Sequence, residues 1–533
     1  MRRCDALSSA SQHFLAQIVD GRYDNSMITF CWISRGPSKE LTHAAKLVPI
    51  VAVILSCTAT TAFAIPEKAR PAQEFVDSIG INTHWNYGDT PYGYAYAAVK
   101  HLLVTSGIRH IRGDMSRAVE LSKAGVKTMV VADIPNNTNG DISVITRFKE
   151  QVKAINTQYP SIESVEGPNE VDLFWDQFKK SYNGVGYQQG PKSILAGAVA
   201  FQKDLYTVFK GDPATAKIPI VAFTLGKTYG YDAIPFTKGA LAGYVDYGNM
   251  HPYPGGNPFS SRDSYDTIDW YIGHGTHPNA NMDDDDHFMY AFDVYAQAFA
   301  PKPMQVSETG YSTNTDGETE TNQAKYLPRL FAEYFRHGIA RTYTYEFMDE
   351  FDDPGKNNRE AHFGIVRRDL SPKPAYYSLQ SVISALSDNH YKPQQKMGTL
   401  NVQIQVSPVG SYTKTQYVHH LLLQKSTRDF YLLLWHEIAD SDSSVEPHRV
   451  INPPALPAIV SFSRNVAHAR LFTLADSGKM SSVPLPIAHD SVSLPVGDKL
   501  CILKLAMYVP KQEASALPQH RKRVVKHRVH LLN

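Results

Sequence analysis

Between residue 78 and about residue 385, short apolar runs alternate with helix-length amphipathic stretches, and this alternation constrains the fold more than any other feature of the chain. Eight runs rich in β-branched residues read as buried parallel strands: Ser78–Thr83, Gly107–Arg112, Val126–Ala132, Ser161–Glu166, Ile218–Phe223, Tyr247–His251, Met304–Glu308 and Arg341–Glu346. Between them, apolar residues recur at helical spacing. Val99, Leu102 and Leu103 form one such stripe, and Ile142, Ile145, Phe148, Val152 and Ile155 another. A third comprises Leu327, Leu330, Phe331, Tyr334 and Phe335, one apolar face each. An open doubly wound sheet is the competing α/β arrangement. It usually opens on a Gly-rich phosphate turn, whereas Gly80-Ile81-Asn82-Thr83-His84-Trp85 offers one glycine and then bulk. The pattern therefore predicts a closed (β/α)8 TIM barrel over residues 65–390.

After Pro372 and Pro374, one last helix (Ala375–Ser387) closes this pattern and the periodicity changes. Leu400–Val406, Val418–Gln424, Phe430–His436, Ala469–Leu474 and Lys499–Met507 read as strands separated by turn residues, which predicts a small C-terminal antiparallel β-sandwich over 391–510. Residues 511–533, with Arg521-Lys522-Arg523, form a basic tail read as solvated and disordered. At the other end, Lys46 precedes the apolar run Leu47–Ala64, which closes on Ala62-Phe63-Ala64. That is the charged flank, short apolar core and small-residue cleavage site of an export signal, too Thr- and Ala-rich for a spanning helix. Residues 1–64 are accordingly read as leader and signal peptide, with Met27 as an alternative start. The mature chain is expected to be secreted or periplasmic, without stable membrane insertion.

A formal charge of +1 gives no reason to expect a nucleic-acid partner. Of the four cysteines, Cys4, Cys31 and Cys57 lie in the leader, leaving Cys501 with nothing to pair and no zinc spacing. The run Asp283-Asp284-Asp285-Asp286, between His277 and His287, lacks EF-hand spacing and reads as a solvated loop. Neither a metal nor a cofactor is expected, and the oligomeric state stays open.

Barrel proteins carry their chemistry where strands end and βα-loops begin. The fourth run ends Ser164-Val165-Glu166-Gly167-Pro168-Asn169-Glu170 and the seventh Ser307-Glu308-Thr309-Gly310. Each therefore delivers a carboxylate to the rim, from strands nearly opposite across the mouth. Two carboxyl groups about 5–5.5 Å apart suit glycoside cleavage with retention, whereas inversion needs about 6.5–9.5 Å.

Asn169-Glu170 with Glu308 resembles glycoside hydrolase clan A. The closing Ser371-Pro372-Lys373-Pro374-Ala375-Tyr376 and the following sandwich resemble family 39 within it. The resemblance spans roughly residues 75–390. It implies that Glu170 is acid/base, that Glu308 is nucleophile and that Asn169 holds the sugar 2-hydroxyl. It further implies that Arg112 hydrogen-bonds the nucleophile and that His251 and Tyr253, of His251-Pro252-Tyr253, contact nucleophile or sugar. The clan commonly ends strand eight in Trp. Tyr343-Thr344-Tyr345-Glu346-Phe347 departs from this with an extra acid, which leaves the subsite floor open; Tyr345 and Glu346 are candidates for binding substrate. His84 and Trp85, after strand one, are further candidates for stacking on sugar. Bland readings stand beside these: an Arg112–Asp114 ion pair, a core His251, loop packing for Trp175, and a barrel that binds glycan without cutting it.

Overall fold

The computed structural model describes residues 65–187, 195–226, 237–254, 296–442, 445, 448–463 and 466–508. The segment expected to be a leader, residues 255–295 with the Asp283–Asp286 run, and the basic tail lie outside the described residues.

The eight predicted runs form eight parallel strands: Ile79–Asn82, His110–Gly113, Lys127–Val131, Ile162–Glu166, Ile220–Val221, Gly248–Met250, Met304–Thr309 and Thr342–Thr344. Strand eight pairs with strand one, and the order runs 5-4-3-2-1-8-7-6 across the sheet. The two ends of that order meet. Ala222 N donates to Tyr247 O at 3.0 Å and Tyr247 N to Ile220 O at 3.3 Å, so the sheet closes into a cylinder. Strands buried on both faces need apolar side chains inward and outward, which is why these runs lack strict alternation.

Inside the cylinder, Met129, Val221 and Tyr343 form their own buried cluster. Gly80 makes room for it, because a Cβ there would come within 2.4 Å of the Tyr343 ring. Gly107, expected to open strand two, instead ends helix Tyr96–Ser106 with φ 87°. Left-handed backbone suits a residue without a Cβ, and the strand starts three residues later.

The helices begin where side chains can cap them. Asp141 Oδ1 accepts from Ser143 N at 2.8 Å ahead of Ile142–Gln158, and Thr319 Oγ1 accepts from Asn322 N at 3.1 Å ahead of Glu320–Arg336. The second of these departs from simple amphipathicity. Every residue from Asn322 to Phe335 is buried. Its apolar stripe faces the barrel, while its polar stripe Lys325, Arg329 and Glu333 docks on the sandwich. Lys325 Nζ meets Asp498 Oδ2 at 2.6 Å, Arg329 Nη1 meets Asp440 Oδ2 at 2.9 Å, and Glu333 Oε1 accepts from Trp435 Nε1 at 3.0 Å.

The sandwich has a four-stranded and a six-stranded sheet. Residues 65–71 are not part of the barrel: Ile65–Lys68 pairs with Thr399–Val402, and Arg70–Pro71 with Leu423–Gln424. Leu456–Phe462, Met480–Leu485 and Ser491–Val496 are further strands that the sequence pattern did not reveal. Pro457 and Pro495 face one another in adjacent strands, and prolines within a run argue against a strand when only sequence is read.

Candidate active site

From the end of strand two, the Arg112 guanidinium gathers residues from the C-terminal ends of strands one, four and seven. Arg112 uses all five of its N–H donors. Nε and Nη2 grip Glu166 at 2.6 and 2.9 Å, and Nη2 also donates to Asn169 Oδ1 at 2.6 Å. Nη1 donates to Asn82 Oδ1 at 3.1 Å and to Glu308 Oε1 at 2.5 Å. Asp114, the alternative partner, instead accepts from Asn86 N and Ser116 N.

The other Glu308 oxygen accepts from Tyr253 Oη at 2.9 Å. His251 stands between the two rim carboxylates: Nδ1 lies 2.9 Å from Glu170 Oε1 and 3.8 Å from Glu308 Oε2. Its Nε2 pairs with Ser307 Oγ at 2.7 Å, and Asn249 Nδ2 donates to that hydroxyl at 2.8 Å. Oxygens of Glu170 and Glu308 and a ring nitrogen of His251 all lie within 4.8 Å of one another. Glu170 has a left-handed backbone, φ 39° and ψ 59°, just before helix Val171–Gln177. Its N–H is held by Thr224 Oγ1 at 3.1 Å. For a residue with a Cβ this conformation costs about 1–3 kcal/mol, and such strain collects at functional sites.

Electrostatics separate the two carboxyl groups. Both are nearly buried, with 9% of Glu170 and 8% of Glu308 exposed. Burial and then repulsion from Glu308 push the Glu170 carboxyl above its ordinary range, only partly opposed by His251 and Arg112. Burial pushes Glu308 the same way, but His251, Arg112 and the Tyr253 hydroxyl outweigh it and hold Glu308 below the ordinary value. Burial lowers the basicity of His251, and the two carboxylates more than restore it. Of the two carboxyl groups, Glu170 therefore holds a proton more readily and Glu308 gives one up more readily.

The rest of the rim is mixed. His84 Nδ1 lies 2.6 Å from Glu350 Oε1 and 3.2 Å from Glu346 Oε2. Its ring stacks on Tyr87 at 4.7 Å and meets Tyr345 edge-on at 5.8 Å. Glu346 is fully buried, and burial pushes its carboxyl well up. These carboxylates keep His84 well above the usual imidazole value despite its own burial. The peptide between Tyr345 and Glu346 is cis.

Trp85 corrects an expectation. Rather than offering a face to ligand, it is 4% exposed and packs edge-on against Tyr92 and Tyr96, at 4.9 and 5.6 Å. Consecutive residues after a strand point opposite ways, and His84 takes the outward direction. Trp175 likewise packs inward, its Nε1 donating to Asp133 Oδ1 at 3.2 Å. Sequence reading passed over Glu166 and Glu350 as site residues. Glu166 closes strand four, and a fully buried acid at a barrel strand's end needs a cation. Glu350 follows Glu346 by four residues.

Acid–histidine groups close enough to hold a metal occur at three places among the described residues: His84/Glu346/Glu350, Glu170/His251/Glu308 and Glu333/His419/Glu437. In the third, Trp435 Nε1 donates to both carboxylates, at 3.0 and 2.9 Å.

No protein-family model matches the sequence, and no curated protein matches it either. Solved structures do match. A family 39 glycoside hydrolase from the gut symbiont Bacteroides cellulosilyticus WH2 superposes with a TM-score of 0.52 at 18% identity, over 82% of this chain and 81% of that one. A glucosidase from Croceicoccus marinus superposes with a TM-score of 0.50 at 10% identity, over 83% of this chain and 97% of that one. At such identities the likeness is one of fold, and the barrel with its appended sandwich is the fold these glycoside hydrolases share with this chain.

Proposed function

We propose that this chain is a retaining glycoside hydrolase acting on β-linked glycosides or polysaccharide, with Glu170 as acid/base and Glu308 as nucleophile. The observation that carries this reading is the approach of one oxygen of each carboxyl group within 4.8 Å, in a cluster that raises the proton affinity of Glu170 and lowers that of Glu308. So close an approach lies nearer the about 5–5.5 Å of retaining enzymes than the about 6.5–9.5 Å that inversion needs. The two structural neighbours, one named a family 39 glycoside hydrolase and one a glucosidase, support the same substrate class.

In the first half-reaction Glu308 attacks the anomeric carbon while Glu170 protonates the departing oxygen. Arg112 and Tyr253 occupy opposite oxygens of Glu308, so its orientation is set before substrate arrives. Forming the glycosyl ester neutralises Glu308. The repulsion that raised Glu170 then vanishes, its proton affinity falls, and it becomes the base that takes a proton from incoming water. Asn169, its carbonyl oxygen tied to Arg112, turns its amide N–H groups to the sugar 2-hydroxyl. His84 and Tyr345 bind the glycone edge, while Glu346, expected at the site but fully buried, acts only through the His84 ring that it holds. The mature protein is exported, and N-terminal sequencing of secreted material is expected to begin just after Ala64.

The test combines stereochemistry with substitution. Proton NMR of the first-formed sugar on a β-aryl glycoside should show the β-anomer, and Glu308→Gln should lose turnover. Inversion, or undiminished turnover in that variant, would refute the assignment.

A further inference from the structure

The opposite end of the cylinder, where the strands begin, carries a second feature. A groove of about 780 Å³ runs between helix Pro374–Leu386, the sandwich strand Met480–Leu485 and the turn that leads into strand two. Its size falls within the range of about 300–1,000 Å³ of small-molecule sites. Hydroxyls and carboxamides dominate its walls, among them Gln73, Gln380, Ser384 and Ser482, with Phe472 and Ile383 as apolar contacts.

Among the described residues that line this groove, Arg109 alone is charged. Its Nη1 donates to Val104 O and Ile108 O, both at 3.1 Å. This ties it to the C-terminal end of helix Tyr96–Ser106, where carbonyl dipoles favour a cation. The Nε and Nη2 donors have no acceptor among the described residues, and no carboxylate there pairs with the group. Burial without a counter-ion lowers its proton affinity. A guanidinium anchored by one nitrogen, with its remaining edge open, is a preorganised fork for a carboxylate.

We propose that this groove is a second carbohydrate site, which binds a stretch of acidic glycan through one uronate carboxylate on Arg109. The Ser384 hydroxyl can donate and accept and the Gln380 carboxamide oxygen can accept, as sugar hydroxyls require, and Phe472 offers an apolar surface to a ring face. A lone cation suits one carboxylate per saccharide unit and would leave a polyphosphate largely unneutralised. The choice of a glycan over other hydroxylated anions rests on the hydrolase reading. The groove itself shares no residue with that site.

The test uses the full chain carrying Glu308→Gln, titrated calorimetrically with an oligogalacturonate hexamer, a neutral cello-oligosaccharide of equal length and inorganic phosphate. The acidic hexamer is expected to bind. Arg109→Ala should weaken it at least about tenfold, the factor for losing one charge-assisted fork. Ser384→Trp, an exposed position on the groove wall, should do the same by filling the space without touching the helix cap. Neutral oligosaccharide and phosphate should bind at least about tenfold more weakly. In the otherwise native chain, both groove variants should hydrolyse a small aryl glycoside at the unaltered rate. Equal affinity of the acidic hexamer in both groove variants, no binding of it at all, or phosphate binding as tightly as the hexamer would overturn the proposal. Failure of the hydrolase reading would show separately, as undiminished turnover in Glu308→Gln or none in the native chain, with groove binding intact.

Discussion

Replacing Arg112 by Met tests whether one guanidinium serves both the fold and the chemistry. The substitution keeps most of the side-chain volume but removes five hydrogen bonds: two to Glu166 and one each to Asn169, Asn82 and Glu308. Glu166 has 0% of its surface exposed, so it would become a buried charge without its guanidinium, with only the His251 ring nearby at 3.9 Å. Breaking a buried pair in this way costs about 3–5 kcal/mol. The double variant Arg112→Met/Glu166→Gln removes the stranded charge at Glu166 and leaves there only unmet neutral hydrogen bonds, worth about 1–3 kcal/mol, while Glu308 stays without its donor in both variants. Urea unfolding should therefore show the double variant recovering about 2 kcal/mol relative to the single one. Activity should not recover with it, because Glu308 still lacks its orienting donor and the nearest positive charge. kcat/KM on an aryl glycoside is expected to stay at least about 10²-fold below native in both variants. A double variant as unstable as the single one would refute the buried-charge reasoning. A double variant that regains both stability and turnover would refute the view that Arg112 acts on Glu308.

Four further outcomes follow from the geometry. kcat/KM should be bell-shaped in pH, falling on the acid side as Glu308, held low, takes a proton and on the basic side as Glu170, held high, loses one; Glu170→Gln should abolish the basic limb. Tyr253→Phe removes a hydrogen bond to ionised Glu308, so the acid limb should move to higher pH and kcat should fall about tenfold. Arg329→Met, at the contact between barrel helix and sandwich, strands Asp440 and Glu437; it should destabilise by about 3–5 kcal/mol, read as a shifted urea midpoint, with kcat preserved in the folded protein. Burial and repulsion from Arg329 push His436 down to about 4, so the unfolded chain binds the proton more readily. Stability should then be full above about pH 6.5 and decline as pH falls toward 4, a slope that His436→Gln should flatten.

Much of the architecture was legible because it rests on local pattern. All eight barrel runs are strands, since residues buried on two faces must be apolar throughout. Strand boundaries were harder. Tyr345 and Glu346 read as part of strand eight, yet hydrogen-bonded pairing there stops at Thr344. The sandwich was recognisable from its alternating strands, while its Pro-containing members and the N-terminal strand Ile65–Lys68 were not. A four-residue segment contributes a strand only because Thr399–Val402 presents an open edge to it.

The rim residues Glu170, Glu308, Asn169, Arg112, His251 and Tyr253 were identifiable in sequence because barrel strands deliver their last residues to one end of the cylinder. Their roles toward one another were not. Nothing along the chain says that Arg112 divides its donors between Glu166 and Glu308, or that Trp85 turns inward while His84 turns out. The polar stripe Lys325, Arg329 and Glu333 looks like a solvated helix face until the sandwich is seen to cover it. Periodicity determined which faces are apolar and hence which elements form. The partners of the polar groups were decided only by tertiary structure, because a charge's partner depends on which distant segment desolvates it, and local sequence carries no record of that neighbour.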